Sequence, residues 1–260
     1  FGYYYDWDDM NQHGIVNPSW MFTNNFGMSI HPRYGTIGDL NLTDVPSGTE
    51  VMGPKGEVLR YVLDSDGWLA QWNSSKVFTS QTGERDASGP SNYDWNVSVP
   101  ILNDLTGSVG IVAVVYDDVL LGRNGSLPTA GTGSLDYDNP EEATLWAVSL
   151  DPDNRGQTLF GPTNYPMAFA DGTQNIFIRA GEGVFIMQHM PDLTFSGYSM
   201  YTGEKLWEGE SQAELTVPFG YYTWVSLMNV FGHAIADGKF YTAGYTGHVL
   251  SLIHISEPRD

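Results

Sequence analysis

Apolar residues in this chain fall into short runs, and polar or glycine-containing turns separate each run from the next. Val58–Leu63 and Trp68–Trp72, for example, flank a turn ending in Asp66-Gly67, a dipeptide that closes tight β-hairpins. The runs are rich in Val, Ile, Tyr, Phe and Trp, and none shows a sustained helical period. The pattern therefore predicts an all-β chain of hairpins. Further hairpins are expected around Asp117-Asp118, Ala180–Gly183 and Asp237-Gly238.

One phrase of the sequence occurs twice, the second time in degraded form. Residues 198–207 read Tyr-Ser-Met-Tyr-Thr-Gly-Glu-Lys-Leu-Trp, and residues 150–160 end in Gly-Gln-Thr-Leu-Phe. Glycine supplies positive φ for the turn, and the apolar–aromatic pair is expected to hold the outer strand of a sheet against its neighbour. The repeated positions are Thr202, Gly203, Leu206 and Trp207 in one copy and Asp151, Gly156, Leu159 and Phe160 in the other.

The phrase resembles the repeat of pyrroloquinoline-quinone-type (PQQ-like) β-propellers, whose outer hairpin reads Tyr-x-x-x-Thr-Gly-x-x-Leu-Trp. The resemblance implies a partial β-propeller of four-stranded antiparallel blades, with Trp146 and Trp207 buried in packing between blades. Two positions depart from the repeat: Ser199 stands where Asp is usual, and Phe160 stands where Trp is usual. Weakened repeats of this kind imply that the scaffold persists while a shared cofactor site need not.

The hairpin spacing also predicts the domain organisation. Blades are expected over residues 41–78, 97–160, 166–208 and 219–249, so that residues 1–249 form one propeller fragment. Residues 250–260 are expected to be a non-native tail, because Leu250–Pro258 reads like a translated sequencing adapter and the blade pattern stops there. The start at Phe1, within an aromatic run, predicts a fragment or a processed product.

The charge balance limits the classes of partner. The 260 residues carry 31 acidic and 11 basic side chains, for a formal net charge of −20. Such a surface repels nucleic-acid phosphates and anionic lipid, so no nucleic-acid partner is expected, whereas cations such as Ca²⁺ would be tolerated. The absence of cysteine excludes disulfides and thiolate metal sites. No apolar stretch approaches the ~18–20 residues of a membrane span.

Two groups near the ends of the chain are candidate binding residues. Asp6, Asp8 and Asp9 are hard oxygen ligands close together in sequence and could hold Ca²⁺, although a solvated loop on an acidic protein is the favoured interpretation. Aromatic side chains near glycine and aspartate would form a stacking platform for a sugar or a partner if exposed, and packing between blades if buried. The platform candidates are Tyr4, Trp7, Tyr222 and Trp224.

Asn-x-Ser/Thr sequons favour an exported, extracellular or cell-surface protein, although chance occurrence in an Asn- and Ser-rich chain is the alternative. The sequons begin at Asn41, Asn73, Asn96 and Asn124.

These features favour a non-catalytic repeat scaffold that binds a protein or a carbohydrate through loops on a rigid disc. The rival function is an enzyme, either a quinone-dependent dehydrogenase or a propeller hydrolase. The resemblance gives no residue-level match to the Ca²⁺ ligand, base and stacking Trp of a quinone site, and a vicinal cysteine pair cannot exist here. No cofactor is therefore expected, and bound quinone is least expected.

Overall fold

The computed structural model describes residues 39–64, 66–77, 82–125, 127, 142–167, 175–189, 194–210, 234–243 and 249–253. The chain divides into two compact units, Phe1–Val99 and Pro100–Asp260. Strands make up nearly all regular structure in the described ranges, where the only α-helix, α1, is the four-residue segment Ser74–Val77. The predicted all-β fold class is confirmed.

The first unit combines a four-stranded antiparallel sheet with a two-stranded parallel pair. Its strands are β1 (Asp39–Thr43), β2 (Thr49–Met52), β3 (Val58–Asp64), β4 (Trp68–Asn73), β5 (Thr82–Asp86) and β6 (Tyr93–Ser98). The sheet has the order β2-β3-β4-β6, and β1 pairs in parallel with β5. Nothing in the hairpin pattern predicts the parallel pair, because parallel strands are joined by long connections rather than tight turns.

Buried aromatic side chains lie on both faces of the first sheet. Tyr61 and Trp72 are both fully buried, and Tyr61 meets Trp95 edge-on with ring centroids 5.8 Å apart. The Gln71 amide donates to the Tyr61 hydroxyl at 2.6 Å, and Trp72 Nε1 donates to the Ala87 carbonyl at 2.8 Å. Ala87 follows β5, so the second bond ties the long connection between β4 and β6 to the sheet.

The first sheet extends beyond the predicted 41–78 range, because its edge strand β6 lies at Tyr93–Ser98. The chain between β4 and β6 forms α1, β5 and a short 3₁₀ helix. Lys76 of α1 and Asn73 of β4 both contact the Asp94 carboxylate, at 2.9 and 2.8 Å. These contacts close the insertion and bring β6 back beside β4.

The second unit contains three antiparallel sheets, each of which pairs strands in chain order. A 3₁₀ helix at Pro100–Asp104 precedes them. The first sheet comprises β7 (Val109–Val115), β8 (Val119–Asn124), β9 (Glu142–Ser149) and β10 (Thr158–Pro166). The second comprises β11 (Asn175–Gly181), β12 (Val184–His189), β13 (Thr194–Ser199) and β14 (Lys205–Glu208), and the third comprises β15 (Ala234–Ala236), β16 (Lys239–Ala243) and β17 (Val249–Ile253).

Sheets β7–β10 and β11–β14 pack face to face through one apolar core. Phe185 of β12 lies at its centre and stacks on Tyr198 of its own sheet, with ring centroids 5.1 Å apart. The same ring meets Tyr165 of β10 edge-on at 5.2 Å and lies 6.5 Å from Phe160. Leu121 and other buried aliphatic side chains complete the core. The two sheets therefore share a single hydrophobic core.

A second apolar contact joins sheet β11–β14 to sheet β15–β17. Phe195 of β13 and Phe240 of β16 are both buried, and their ring centroids lie 5.1 Å apart. Three antiparallel sheets that follow one another in the chain, each packed on the next, have the arrangement of successive blades in a β-propeller. The chain is a partial β-propeller.

Strand β17 includes residues 250–253, the start of the segment predicted to be non-native. It pairs with β16 in an antiparallel register, with Leu250 opposite Thr242 and Ile253 opposite Lys239. Any segment with high β-propensity can complete such an edge. The origin of residues 250–260 therefore stays a prediction.

Candidate functional site

The same backbone hydrogen bond recurs in three of the sheets. It joins the residue that follows one strand to the hairpin turn between the two strands that precede it in the sheet. The three bonds run from the N–H of Val99 to Gly67 at 2.8 Å, from Leu150 to Asp118 at 2.9 Å and from Met200 to Gly183 at 2.7 Å. This shared hydrogen bond makes three strands of the first sheet, β3, β4 and β6, equivalent to β7, β8 and β9 and to β11, β12 and β13. In each set the last strand is called the third strand. In the first sheet the fourth strand, β2, lies on the opposite edge, beside β3.

The Ser199 side chain caps the turn that follows β13. The Ser199 hydroxyl accepts hydrogen bonds from the backbone N–H groups of Tyr201 and Thr202, at 3.0 and 3.1 Å. Ser149 holds the equivalent position and accepts from the N–H of Asp151 at 3.1 Å. A short side-chain oxygen can cap such a turn, so Ser199 and Ser149 each stabilise the connection that follows their strand.

Replacing Ser199 by alanine is expected to lower the free energy of unfolding by about 1–3 kcal/mol, because two backbone donors beside a buried position lose their acceptor. Chemical denaturation of the two proteins measures the loss. Ser98→Ala is the matched control. Ser98 ends β6, the strand equivalent to β13, but its side chain is exposed, so the free energy of unfolding is expected to change by no more than about 0.5 kcal/mol. Equal losses in both variants would contradict the turn-capping role.

Phe160 and Trp207 occupy the same place in their blades. Phe160 pairs with Ala147 of the third strand, and Trp207 pairs with Gly197. The Trp207 indole lies over Gly197, where an added Cβ would come within 2.2 Å of Nε1. Trp146 is fully buried as expected, whereas Trp207 is only half-buried.

The two leucines of the repeated phrase do not help the aromatic residues to cover the neighbouring strand. Leu159 is 36% exposed and Leu206 is 38% exposed. Successive side chains in a strand point to opposite faces, so a leucine and the aromatic that follows it cannot share one face. The aromatic ring alone therefore covers the small residue of the third strand.

Gly203 is required for space as well as for backbone conformation. Its φ is 74°, and an added Cβ would lie 2.7 Å from the Tyr165 hydroxyl and 2.8 Å from the Phe160 ring. The Tyr165 hydroxyl donates to the Gly203 carbonyl at 2.7 Å. Gly156 has the corresponding φ of 85° in the preceding blade. The sequence predicts the positive φ at both glycines, but the contact of Gly203 with the preceding blade follows only from the fold.

The hairpin turns and the connections between third and fourth strands lie at one edge of the second unit. We call this edge the turn face and define it by Tyr116–Asp118, residues 150–157, Glu182-Gly183, residues 200–204 and Asp237-Gly238. The connections belong to it because Leu150 and Met200 bond directly to the hairpin turns.

Side chains of the turn face bond one blade to the next. The Tyr201 hydroxyl donates to the Asp118 carboxylate at 2.6 Å, across 83 positions of sequence. The Glu182 carboxylate accepts hydrogen bonds from the backbone N–H groups of Asp237 and Gly238, at 3.1 and 3.0 Å. The sequence predicts these hairpins but not their bonds, because nothing local to a hairpin indicates which residue from the next blade will contact it.

The exposed part of the turn face is acidic and carries one accessible aromatic ring. Tyr116 is 40% exposed, beside the Asp117 carboxylate that contacts Arg155 at 3.3 Å. Exposed carboxylates surround the turns and give the face a negative potential. They belong to Asp151, Asp153, Glu182, Glu204 and Asp237.

Tyr165 and Tyr198 pack in the apolar core behind the turn face. Burial raises the pKa of both hydroxyls above the ordinary tyrosine value. Within the described ranges, no group of three or more His, Asp or Glu side chains is placed to hold a metal ion.

The terminal candidate residues of the sequence analysis lie outside the described residues. These are the calcium candidates Asp6, Asp8 and Asp9 and the platform candidates Tyr4, Trp7, Tyr222 and Trp224. In the part of the chain that the structure does describe, no helix is long and apolar enough to cross a membrane.

Solved β-structures resemble the chain at low sequence identity. BamB from Moraxella catarrhalis aligns with 82% of this chain at 14% identity and a TM-score of 0.32, and this chain spans 48% of BamB. The computationally designed Ika4 protein aligns with 83% of this chain at 11% identity and a TM-score of 0.35, over 96% of its own length. The designed Ika8 protein aligns with 84% at 12% identity and a TM-score of 0.32, over 49% of its length.

No protein-family model matches the chain, and no curated protein matches it significantly.

Proposed function

We propose that the chain is a non-catalytic scaffold of PQQ-like blades that is exported or surface-associated and binds a protein or carbohydrate ligand through its turn face. The observation that carries the proposal is that some side chains of that face hold the blades together while another is exposed to solvent. Asp118, Glu182 and Tyr201 join neighbouring blades, while Tyr116 remains accessible on the frame that they build.

Rigid turns favour binding because little conformational entropy is lost when the ligand is engaged. Glu182 and Asp237 hold left-handed backbone conformations, with φ of 48° and 52°, and Glu182 bonds to the turn that contains Asp237. The turns are therefore fixed before any ligand arrives. An exposed tyrosine on such a frame suits stacking against a sugar ring or an apolar side chain, and the surrounding carboxylates favour a cationic partner.

The experiment screens the purified chain on a glycan array and on an array of basic peptides. Tyr116→Ala is expected to weaken binding to the selected ligand about tenfold, as loss of an aromatic anchor does. Asp153→Asn with Glu204→Gln is expected to reduce binding and its dependence on salt if the ligand is a basic peptide. Asp104→Asn is the control, since Asp104 is exposed on the 3₁₀ helix outside the turn face. Binding that survives all turn-face changes would overturn the proposal.

The non-catalytic character has its own test. The chain, supplied with pyrroloquinoline quinone and Ca²⁺, is expected to give no dye reduction over a panel of alcohols and aldoses. Saturable turnover that disappears on chelation of Ca²⁺ would overturn the scaffold function and favour the quinone-dependent dehydrogenase.

A further inference from the structure

We propose that Asn96 is the attachment site of an N-linked glycan. Asn96, Val97 and Ser98 form a sequon within β6, and β6 is an edge strand of its sheet. Asn96 and Ser98 are exposed, whereas Val97 between them is partly buried. Both sequon side chains therefore lie on the same accessible side of an extended strand.

The other sequons whose asparagine side chains are described are less exposed than Asn96, since Asn73 is buried and Asn124 is half-buried. Asn73 is 8% exposed, its Nδ2 donates to Asp94 at 2.8 Å, and its Oδ1 accepts from the N–H and hydroxyl of Ser75. The Oδ1 of Asn124 is buried. A glycan on Asn73 would remove a buried contact that closes the insertion between β4 and β6, whereas one on Asn96 would project from the surface. The Asn41 side chain is outside the described residues.

The reaction forms one bond and breaks one. The Asn96 Nδ2 attacks C1 of the first sugar of a lipid diphosphate-linked oligosaccharide, and the N–C1 bond forms as the bond from C1 to the phosphate oxygen breaks. The lipid diphosphate leaves, and the amide nitrogen loses one proton to a base of the transferase. No group is oxidised or reduced. The lipid-linked oligosaccharide donor is supplied by the membrane in which the transferase resides.

The inference rests on the exported part of the proposed function, because sequons are modified only in exported chains. The test therefore imposes export: the full chain is secreted from a yeast host behind a cleavable leader. Whether the chain is exported naturally does not affect the outcome, so a negative result would count against the site and not against the scaffold function.

Glycan occupancy is measured peptide by peptide after enzymatic deglycosylation in ¹⁸O-water, which converts each modified Asn to labelled Asp. The Asn96 peptide is expected to carry most of the label, and the Asn73 and Asn124 peptides little. Asn96→Gln and Ser98→Ala should each abolish the label at this site, whereas Ser98→Thr should retain it because the sequon hydroxyl is preserved. Far-ultraviolet circular dichroism verifies that each secreted variant is folded.

An unlabelled Asn96 peptide in folded, secreted protein would overturn the inference. Predominant labelling at Asn73 in folded protein would overturn it as well, because the Asn73 amide would then not be held against Asp94 as the structure shows.

Discussion

Replacing Trp146 by alanine is expected to lower the free energy of unfolding by about 3–5 kcal/mol, the range for a large aromatic lost from a packed core. Trp146 is fully buried in β9, and its indole lies over Gly122 of β8, where an added Cβ would come within 2.1 Å of the ring. Gly122 has no side chain with which to fill the space that the indole would leave. Equilibrium denaturation of the whole chain measures the loss.

Two comparisons make the Trp146 experiment specific. Trp207→Ala should cost distinctly less, because Trp207 is half-buried on an edge strand, and Leu206→Ala should cost about 0.5 kcal/mol or less because Leu206 is 38% exposed. A loss below about 1 kcal/mol for Trp146→Ala would mean that the pairing of β8 with β9 is not the one described here.

The second large effect is expected at Gly203. Alanine there has to adopt a φ of 74° and to displace the Tyr165 hydroxyl and the Phe160 ring. Left-handed strain of about 1–2 kcal/mol adds to an overpacking cost of about 1–3 kcal/mol, so a total of about 2–5 kcal/mol is expected. Thermal and chemical denaturation should agree on the direction of the loss.

Gly125→Ala is the matched control for Gly203. Gly125 has a similar φ of 81°, but no atom lies within 4 Å of its added Cβ, so only the strain of about 1–2 kcal/mol is expected there. If both variants lose the same stability, the turn containing Gly203 does not pack against the preceding blade.

The local features of the fold could be predicted from sequence because tight turns carry their own chemical signature. The turns at Asp66-Gly67, Glu182-Gly183 and Asp237-Gly238 are present as expected, and each contains a residue with positive φ. The repeated phrase likewise indicates the equivalence of Phe160 and Trp207, which the strand pairing supports.

The features that the sequence did not predict depend on distant parts of the chain. The parallel pairing of β1 with β5 joins segments separated by three strands and helix α1. The bond from Tyr201 to Asp118 and the bonds from Glu182 to the next turn exist only once blades stack. Such properties are set by the assembled sheets, so no local pattern around these residues contains them.

The central claim is that sheets β7–β10 and β11–β14 pack as successive blades, and the bond between Tyr201 and Asp118 tests it most directly. A double-mutant cycle of Tyr201→Phe and Asp118→Ala measures their coupling free energy. The account predicts about 1.5–3 kcal/mol, as for a hydrogen bond to a charged group, and a value near zero for the control cycle of Asp118→Ala with Glu208→Ala. Coupling between Tyr201 and Asp118 that is no larger than in the control cycle would contradict the packing of the two blades.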